Sequence, residues 1–401
     1  MAVPHQISEF TDFLAASPSA FHAAANVREA LVAAGFREDD AVTPGGHVIV
    51  NGGAVIAWWV PESPRPGMRI VGSHTDSPGL MLKPVPDVER EGFRQVAVEV
   101  YGGPILSSWF DRELSFAGRI ALIDGSTRLT ATGPAARIPN LAIHLYRGDM
   151  PDIDRQVHTQ PVMLIDRPIM DIVADNAGVE ASEIVAHELI SADAQAPEVV
   201  GDTIAAGRMD NLSSVWASTS AMLRAVREEP DRIIVLAAFN HEEVGSASVT
   251  GAGGPLLERV LRKLAGDRAD DVFAQSTMIS ADAAHAVHPN YPGKHDPTHR
   301  PLMNHGPVLK INANQRYASD AVTEAAWVRA ARSAGVPVQT FVGHNAVPCG
   351  STIGPIASTR LGIPTVDVGI PLLSMHSARE MAGVQDQLWF EEALRAYFVG
   401  S

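Results

Sequence analysis

Ile233-Ile234-Val235-Leu236-Ala237-Ala238 runs directly into Phe239-Asn240-His241-Glu242-Glu243-Val244-Gly245-Ser246. An apolar run of this length, bounded by polar turn residues, is the pattern of a strand buried on both faces of an α/β sheet. The two adjacent carboxylates then stand at its carboxyl end, where open α/β sheets bind ligands. Neighbouring side chains at a strand end point in different directions, so one Glu can hold a metal while the other faces a water as general base. A solvated acidic turn fits the same residues, and the pair gains meaning only from its company.

Toward the N-terminus, residues 6–35 show helical spacing, with Ile7, Phe10, Phe13 and Leu14 on one helix and Val27, Leu31 and Val32 on a second, punctuated by Ser17-Pro18-Ser19. Strand-like runs follow at 47–50, 54–60 and 68–72, and the last leads into Ser73-His74-Thr75-Asp76-Ser77-Pro78-Gly79. Between 91 and 200 the pattern changes to short β-like runs, such as 95–100 and 119–123, separated by Gly and Pro turns and without long helical periodicity. Beyond Met209-Asp210-Asn211 a helix is expected to run through Val226, followed after the opening strand by strands at 277–282, 308–312, 336–341 and 365–369 and helices over 319–334 and 385–398. The expected fold is therefore α/β, a mixed, mostly parallel sheet flanked by helices. Residues 1–90 and 201–401 would form this discontinuous unit, with an inserted β-rich domain at 91–200.

A chain of 401 residues exceeds what one core usually supports, which agrees with two units. With 46% hydrophobic and 19% charged residues it is globular rather than disordered. The net charge of −15 argues against nucleic acid or an anionic membrane as partner. A single cysteine, Cys349, excludes an intramolecular disulfide and fits a reducing compartment. No signal-peptide pattern opens the chain, and no apolar stretch reaches the length of about 18 residues that spans a membrane. A soluble, cytoplasmic protein is expected.

His74, Asp210, the Glu242–Glu243 pair, Asp282 and His376 all fall at or near carboxyl ends of the expected strands, which a parallel sheet gathers along one edge. Two histidines with several carboxylates and no cysteine suit a pair of zinc ions, with one carboxylate bridging metals about 3.5 Å apart. Asp76, two residues beyond His74, is placed to accept the second imidazole N–H. Singly, each has an ordinary explanation: Asp210 as a helix N-cap, His74 and His376 as polar loop residues. Their joint occurrence at strand ends favours the metal.

The chain resembles the aspartyl aminopeptidases, dinuclear zinc metallopeptidases. The resemblance lies in Gly72-Ser73-His74-Thr75-Asp76-Ser77-Pro78-Gly79, Trp109-Phe110-Asp111-Arg112-Glu113-Leu114, Pro139-Asn140-Leu141-Ala142-Ile143-His144-Leu145, Met209-Asp210-Asn211 and Asn240-His241-Glu242-Glu243-Val244-Gly245-Ser246. It continues through Ser280-Ala281-Asp282-Ala283-Ala284-His285-Ala286-Val287-His288-Pro289-Asn290-Tyr291, the 310–319 segment and Ser374-Met375-His376-Ser377-Ala378-Arg379-Glu380. The resemblance implies a zinc-exopeptidase-like fold with Asp210 bridging two Zn2+ ions, His74 and Asp282 completing one site, and Glu243 and His376 the other. Mn2+ or Co2+ could replace zinc in one site. It further implies Glu242 as general base, Asp76 as the group orienting His74, and Lys310, Tyr317 and His285 as the substrate pocket for an N-terminal Asp or Glu. The insert would mediate dimerisation within a dodecamer, with His144 reaching a neighbouring subunit's active site. The alternative, less favoured given the resemblance, is an ordinary histidine in an apolar strand at 141–145. Alternatives on the same site are an aminopeptidase for neutral residues, an N-acyl amino acid amidohydrolase, or a non-catalytic assembly protein. The Gly-rich turns Gly343-His344-Asn345 and Gly350-Ser351-Thr352-Ile353-Gly354-Pro355 are expected to shape the cleft floor, and His288, His295, His299 and His305 to lie in a surface loop.

Overall fold

The computed structural model describes residues 3–148 and 152–400. The run Ile233–Phe239 is a strand with every residue buried. It pairs antiparallel with Ala54–Val60 on one side and parallel with Met68–His74 on the other. Its side chains divide with period two between the faces of the sheet, as strand geometry requires. Ile234, Leu236 and Ala238 pack in one apolar core, and Ile233, Val235, Ala237 and Phe239 in another.

Among the described residues this sheet has eight strands, in the order Gly45–Asn51, Ala54–Val60, Ile233–Phe239, Met68–His74, Thr277–Ala281, Thr365–Gly369, Val308–Ile311 and Gln339–Val342. The four strands from Ile233–Phe239 to Thr365–Gly369 are parallel to one another, and antiparallel pairing is confined to the flanks. One face is covered by His5–Ala16, Ala20–Ala33, Met209–Ala225 and Val384–Val399, which contribute Phe10, Leu31, Trp216 and Phe390 to the larger core. Leu256–Ala265 and Ile353–Leu361 supply Leu257, Leu261 and Ile353 to the opposite face. The mixed, mostly parallel sheet flanked by helices is the architecture expected from the residues.

Register decides what meets at the sheet edge. Phe239 is paired with His74, so Glu242 and Glu243 emerge beside that histidine. Ser280 is paired with Gly72, which brings Asp282 level with His74. Thr365–Gly369 passes so close to this turn that a Cβ at Gly369 would lie 1.9 Å from the Asp282 carbonyl oxygen, and only glycine fits there.

A second sheet joins Gly79–Arg90, Phe93–Tyr101, Val162–Met163, Ala136–Arg137, Glu113–Leu122 and Ile184–Asp193 in a closed ring of antiparallel pairings, with Thr127–Ala131 attached to Glu113–Leu122. Its chain begins at Gly79 rather than near residue 91. Residues 79–90, which the sequence boundary assigns to the first unit, belong to this sheet, and no linker separates them from His74. The region also holds a helix, Ile169–Ala177, closed by Gly178 in the left-handed conformation. Its nine residues are too few for periodicity to stand out, although Ile169, Ile172 and Val173 are its buried stripe. Residues 141–145 are not a strand: Ile143–Leu145 is an exposed 3-10 turn.

A small third sheet places Pro371–Leu373 between Ala284–His285 and Glu380–Gly383, and Glu380–Gly383 beside Thr203–Ala206. Pairing of Ala206 with Glu380 sets that glutamate under the segment leading to Asp210. No helix among the described residues is long and apolar enough to cross a membrane.

Candidate metal centre

Five sequence-predicted ligands converge. Ligand atoms of His74, Asp210 and Asp282 lie within 4.8 Å of one another, as do those of Asp210, Glu243 and His376, and those of His74, Glu242 and Glu243. Asp210 belongs to two of these groups and divides its oxygens between them: Oδ1 is 3.4 Å from His74 Nε2, and Oδ2 is 3.3 Å from His376 Nε2. Asp282 Oδ1 stands 3.6 Å from His74 Nε2, and Glu243 Oε2 stands 3.4 Å from His376 Nε2. Glu242 reaches His74 only at 3.9 Å, whereas Glu243, which is grouped with both histidines, comes nearest His376, at 3.4 Å.

Asp210 is not an N-cap. It interrupts the start of Met209–Ala225 with ψ 102°, and its carboxylate turns to the histidines instead of to a backbone N–H. Ser374 and His376 take left-handed backbone conformations, which turn the chain sharply after Pro371–Leu373 and carry the imidazole back over the sheet edge.

Each histidine has one ring nitrogen fixed. His74 Nδ1 donates to the Asp76 main-chain carbonyl at 3.0 Å, and the Asp76 carboxylate lies farther, at 3.5 Å. His376 Nδ1 donates to the Gly103 carbonyl at 3.0 Å. Both Nε2 atoms are therefore free to ligate. The Asp76 carboxylate accepts the N–H groups of Glu242 and Glu243, at 3.1 Å each, and the Tyr101 hydroxyl at 2.8 Å. It organises the acidic turn more than it orients the imidazole.

Glu380 had no assigned part, yet its two oxygens accept the N–H of Asp210 at 3.1 Å and the N–H of His376 at 2.9 Å. It is buried, and burial together with Asp210 pushes its carboxyl up to about 8. Second-sphere contacts of this kind are worth about 10–100-fold in metal affinity. Glu380→Gln replaces one acceptor by a donor and is expected to weaken divalent-metal affinity by about that factor. Chelator competition measures it, with circular dichroism as the folding control, and unchanged affinity would refute the role.

Electrostatics favour a cation. Burial alone would lower the His74 imidazole, but Asp210, Asp282, Asp76 and Glu242 override it and push it well above the usual range. His376 is raised to about 10, because Asp210 and Glu243 outweigh burial. Burial, assisted by Asp210, pushes Glu243 well above the carboxylate range, and burial with Asp282 and Asp210 takes Glu242 to about 7 against the opposing pull of His74. Asp210 is held far below the usual range, since His376 and His74 prevail over its burial. Asp210 Oδ1 and Glu243 Oε1 are buried without a hydrogen-bond donor. Leaving a buried acceptor unsatisfied costs about 1–3 kcal/mol. The donor set, the two free imidazole nitrogens and these two orphaned oxygens fit divalent cations.

The cluster lines a cavity of about 350 Å³, which also touches His285, Lys310, Tyr317 and the turn Gly350-Ser351-Thr352. Lys310 is buried, with Nζ 3.1 Å from the Ala283 carbonyl, 3.4 Å from Asp282 Oδ2 and 5.0 Å above the Tyr317 ring. His285 is exposed and packs edge-on to Phe341 at 5.7 Å between ring centroids. His144 does not join the cluster. It lies on the exposed turn Ile143–Leu145. His288 and His295 are half-buried, and His299 and His305 exposed, with no ligand grouping among them in the described residues.

Residues 13–398 match the family model of the aminopeptidase I zinc metalloproteases, M18. A probable M18 family aminopeptidase 2 of Streptomyces avermitilis is 46% identical, covering 98% of this chain and 97% of that protein. Its namesake from Streptomyces coelicolor is also 46% identical, covering 96% of this chain and 95% of its own. Among solved structures, the S. cerevisiae mApe1 dodecamer is similar with a TM-score of 0.86 at 27% identity, over 98% of this chain and 95% of that one. The fold, the convergent ligand set and the match along nearly the whole length lead to one conclusion: this chain belongs to the M18 family of zinc aminopeptidases.

Proposed function

We propose that the protein is a dinuclear zinc aminopeptidase that removes N-terminal Asp or Glu from peptides. The observation that carries this reading is the division of the Asp210 oxygens between His74 and His376. A carboxylate so placed suits a bridge between two ions. His74 and Asp282 would complete one site, and Glu243 and His376 the other. Bound there, the two zinc ions supply Lewis acidity for the attacking water and the scissile carbonyl.

Glu242 takes the water's proton and returns it to the departing amine. Its longer approach to His74, at 3.9 Å, suits proton transfer better than ligation. Asp76 holds the N–H groups of Glu242 and Glu243 and so fixes the aim of both. Lys310, Tyr317 and His285 line the same cavity and would receive the acidic side chain, with the ammonium of Lys310 shared between that carboxylate and Asp282.

The β-rich unit, with exposed Phe93, Ile123, Leu145 and Val185, would supply a dimer surface within a dodecamer like that of the yeast relative, in the cytoplasm. His144 would then act on a neighbouring subunit's cavity. Specificity is tested by kcat/KM on aspartyl, glutamyl and leucyl anilides and on N-acetyl amino acids. An advantage of about tenfold or more for the acidic anilides is expected from one charge-assisted contact. Equal rates on leucyl anilide would remove the acidic preference, and turnover of N-acetyl amino acids alone would favour an amidohydrolase.

A further inference from the structure

A second pocket adjoins the metal cavity. It has a volume of about 290 Å³ and is lined by Asn312, Asn314, Arg316, the turn Gly343-His344-Asn345, and Val347-Pro348-Cys349. It lies just beyond the carboxyl ends of the parallel strands Val308–Ile311 and Gln339–Val342, the edge at which such sheets bind ligands. Residues adjacent in sequence line this pocket and the metal cavity at two places. Arg316 precedes Tyr317, and Cys349 precedes Gly350, where Tyr317 and Gly350 line the metal cavity. Consecutive Cα atoms are about 3.8 Å apart, so the backbones that line the two spaces run directly into one another at both places.

The polar side chains of this pocket include three that present donors. Asn312 Oδ1 already accepts the N–H of Asn314 at 2.9 Å and of Arg316 at 3.4 Å, which leaves its amide N–H groups for another partner. His344 Nδ1 accepts the N–H of Ala346 at 3.1 Å, so the ring proton resides on Nε2. The Arg316 guanidinium has no ion-pair partner among the described residues, although the chain carries a net charge of −15. Among the described residues, no carboxylate lines the pocket. A guanidinium with amide and imidazole donors, free of competing acids, is chemistry that receives a carboxylate.

We infer that this pocket is a subsite for the leaving part of the substrate and that Arg316 binds a carboxylate there, donated by an acidic second residue or by the C-terminus of a dipeptide. The inference rests on the proposed aminopeptidase reading, in which the metal cavity holds the residue being removed. It assigns Arg316 to specificity, not to the chemical step. The enzyme would favour short or acidic peptides beyond what its first-residue pocket selects.

The test compares kcat/KM of the wild type, Arg316→Gln and Arg316→Lys on four substrates: Asp-Leu, Asp-Leu-amide, Asp-Glu-amide and Leu-Leu. Wild type is expected to prefer Asp-Leu and Asp-Glu-amide over Asp-Leu-amide by about tenfold, mainly through KM. A preference for only one of the two names which carboxylate is bound. In Arg316→Gln the ratios collapse toward one, and Arg316→Lys restores part of them. The subsite is overturned if wild type does not distinguish a leaving carboxylate, or if Arg316→Gln lowers Asp-Leu-amide as much as Asp-Leu. Failure of the acidic first-residue preference is read separately, from Asp-Leu against Leu-Leu in the wild type.

Discussion

Asp210→Asn is expected to abolish activity by about 10³-fold or more and to lower zinc content in both sites together. Among the described residues, Asp210 is the carboxylate with an oxygen within 4 Å of each histidine, at 3.4 and 3.3 Å. Lewis-acid stabilisation by a catalytic metal is worth several kcal/mol, and about 4 kcal/mol corresponds to about 10³ in rate. An amide keeps one acceptor but introduces N–H donors where a cation is to bind. Zinc by elemental analysis and kcat on an aspartyl anilide measure the two effects. A variant that keeps both zincs and most of its activity would refute the bridging role. Loss of only one zinc would mean that Asp210 serves a single site.

Glu242→Gln separates chemistry from metal binding. With general-base catalysis typically worth about 10²–10⁴-fold, kcat is expected to fall within that range while zinc content stays at the wild-type level. The adjacent Glu243 provides the contrast, since Glu243→Gln should reduce zinc as well as rate. Glu243 lies 3.4 Å from His376 Nε2, whereas Glu242 stays 3.9 Å from His74 Nε2. If Glu242→Gln lost zinc and Glu243→Gln did not, the two roles would have to be exchanged.

What the sequence disclosed was set by strand pattern. Buried parallel strands announce themselves as apolar runs, and their carboxyl ends gather on one edge, so His74, Asp210, Glu242, Glu243, Asp282 and His376 could be grouped before any geometry was known. The assignment of partners was not legible in that way. Which glutamate faces which histidine depends on the register of Phe239 against His74 and on the left-handed turns at Ser374 and His376.

Glu380 escaped notice because it acts on backbone, not on a side chain, and one of its partners lies 170 residues away. No spacing rule reaches that far. The contribution of the β-rich unit to the metal centre was hidden for the same reason. Tyr101 holds Asp76, and the Gly103 carbonyl holds His376, both from a stretch whose local pattern speaks only of strand and turn. The edge of that unit was misplaced because Gly79–Arg90 follows His74 within a few residues and changes sheet without a linker. Asp76 shows a subtler limit. Its spacing from His74 suggested a carboxylate contact, whereas the nearer group is the same residue's carbonyl, at 3.0 Å. Local geometry decides between two oxygens that a sequence cannot tell apart.

The paired-metal centre is tested most directly by anomalous diffraction at the zinc absorption edge from crystals of the zinc-loaded enzyme. Two peaks per subunit are expected, one between Asp210 and the His74–Asp282 side and one between Asp210 and the Glu243–His376 side. A single peak, or a pair that leaves Asp210 without contact to both, would contradict the account.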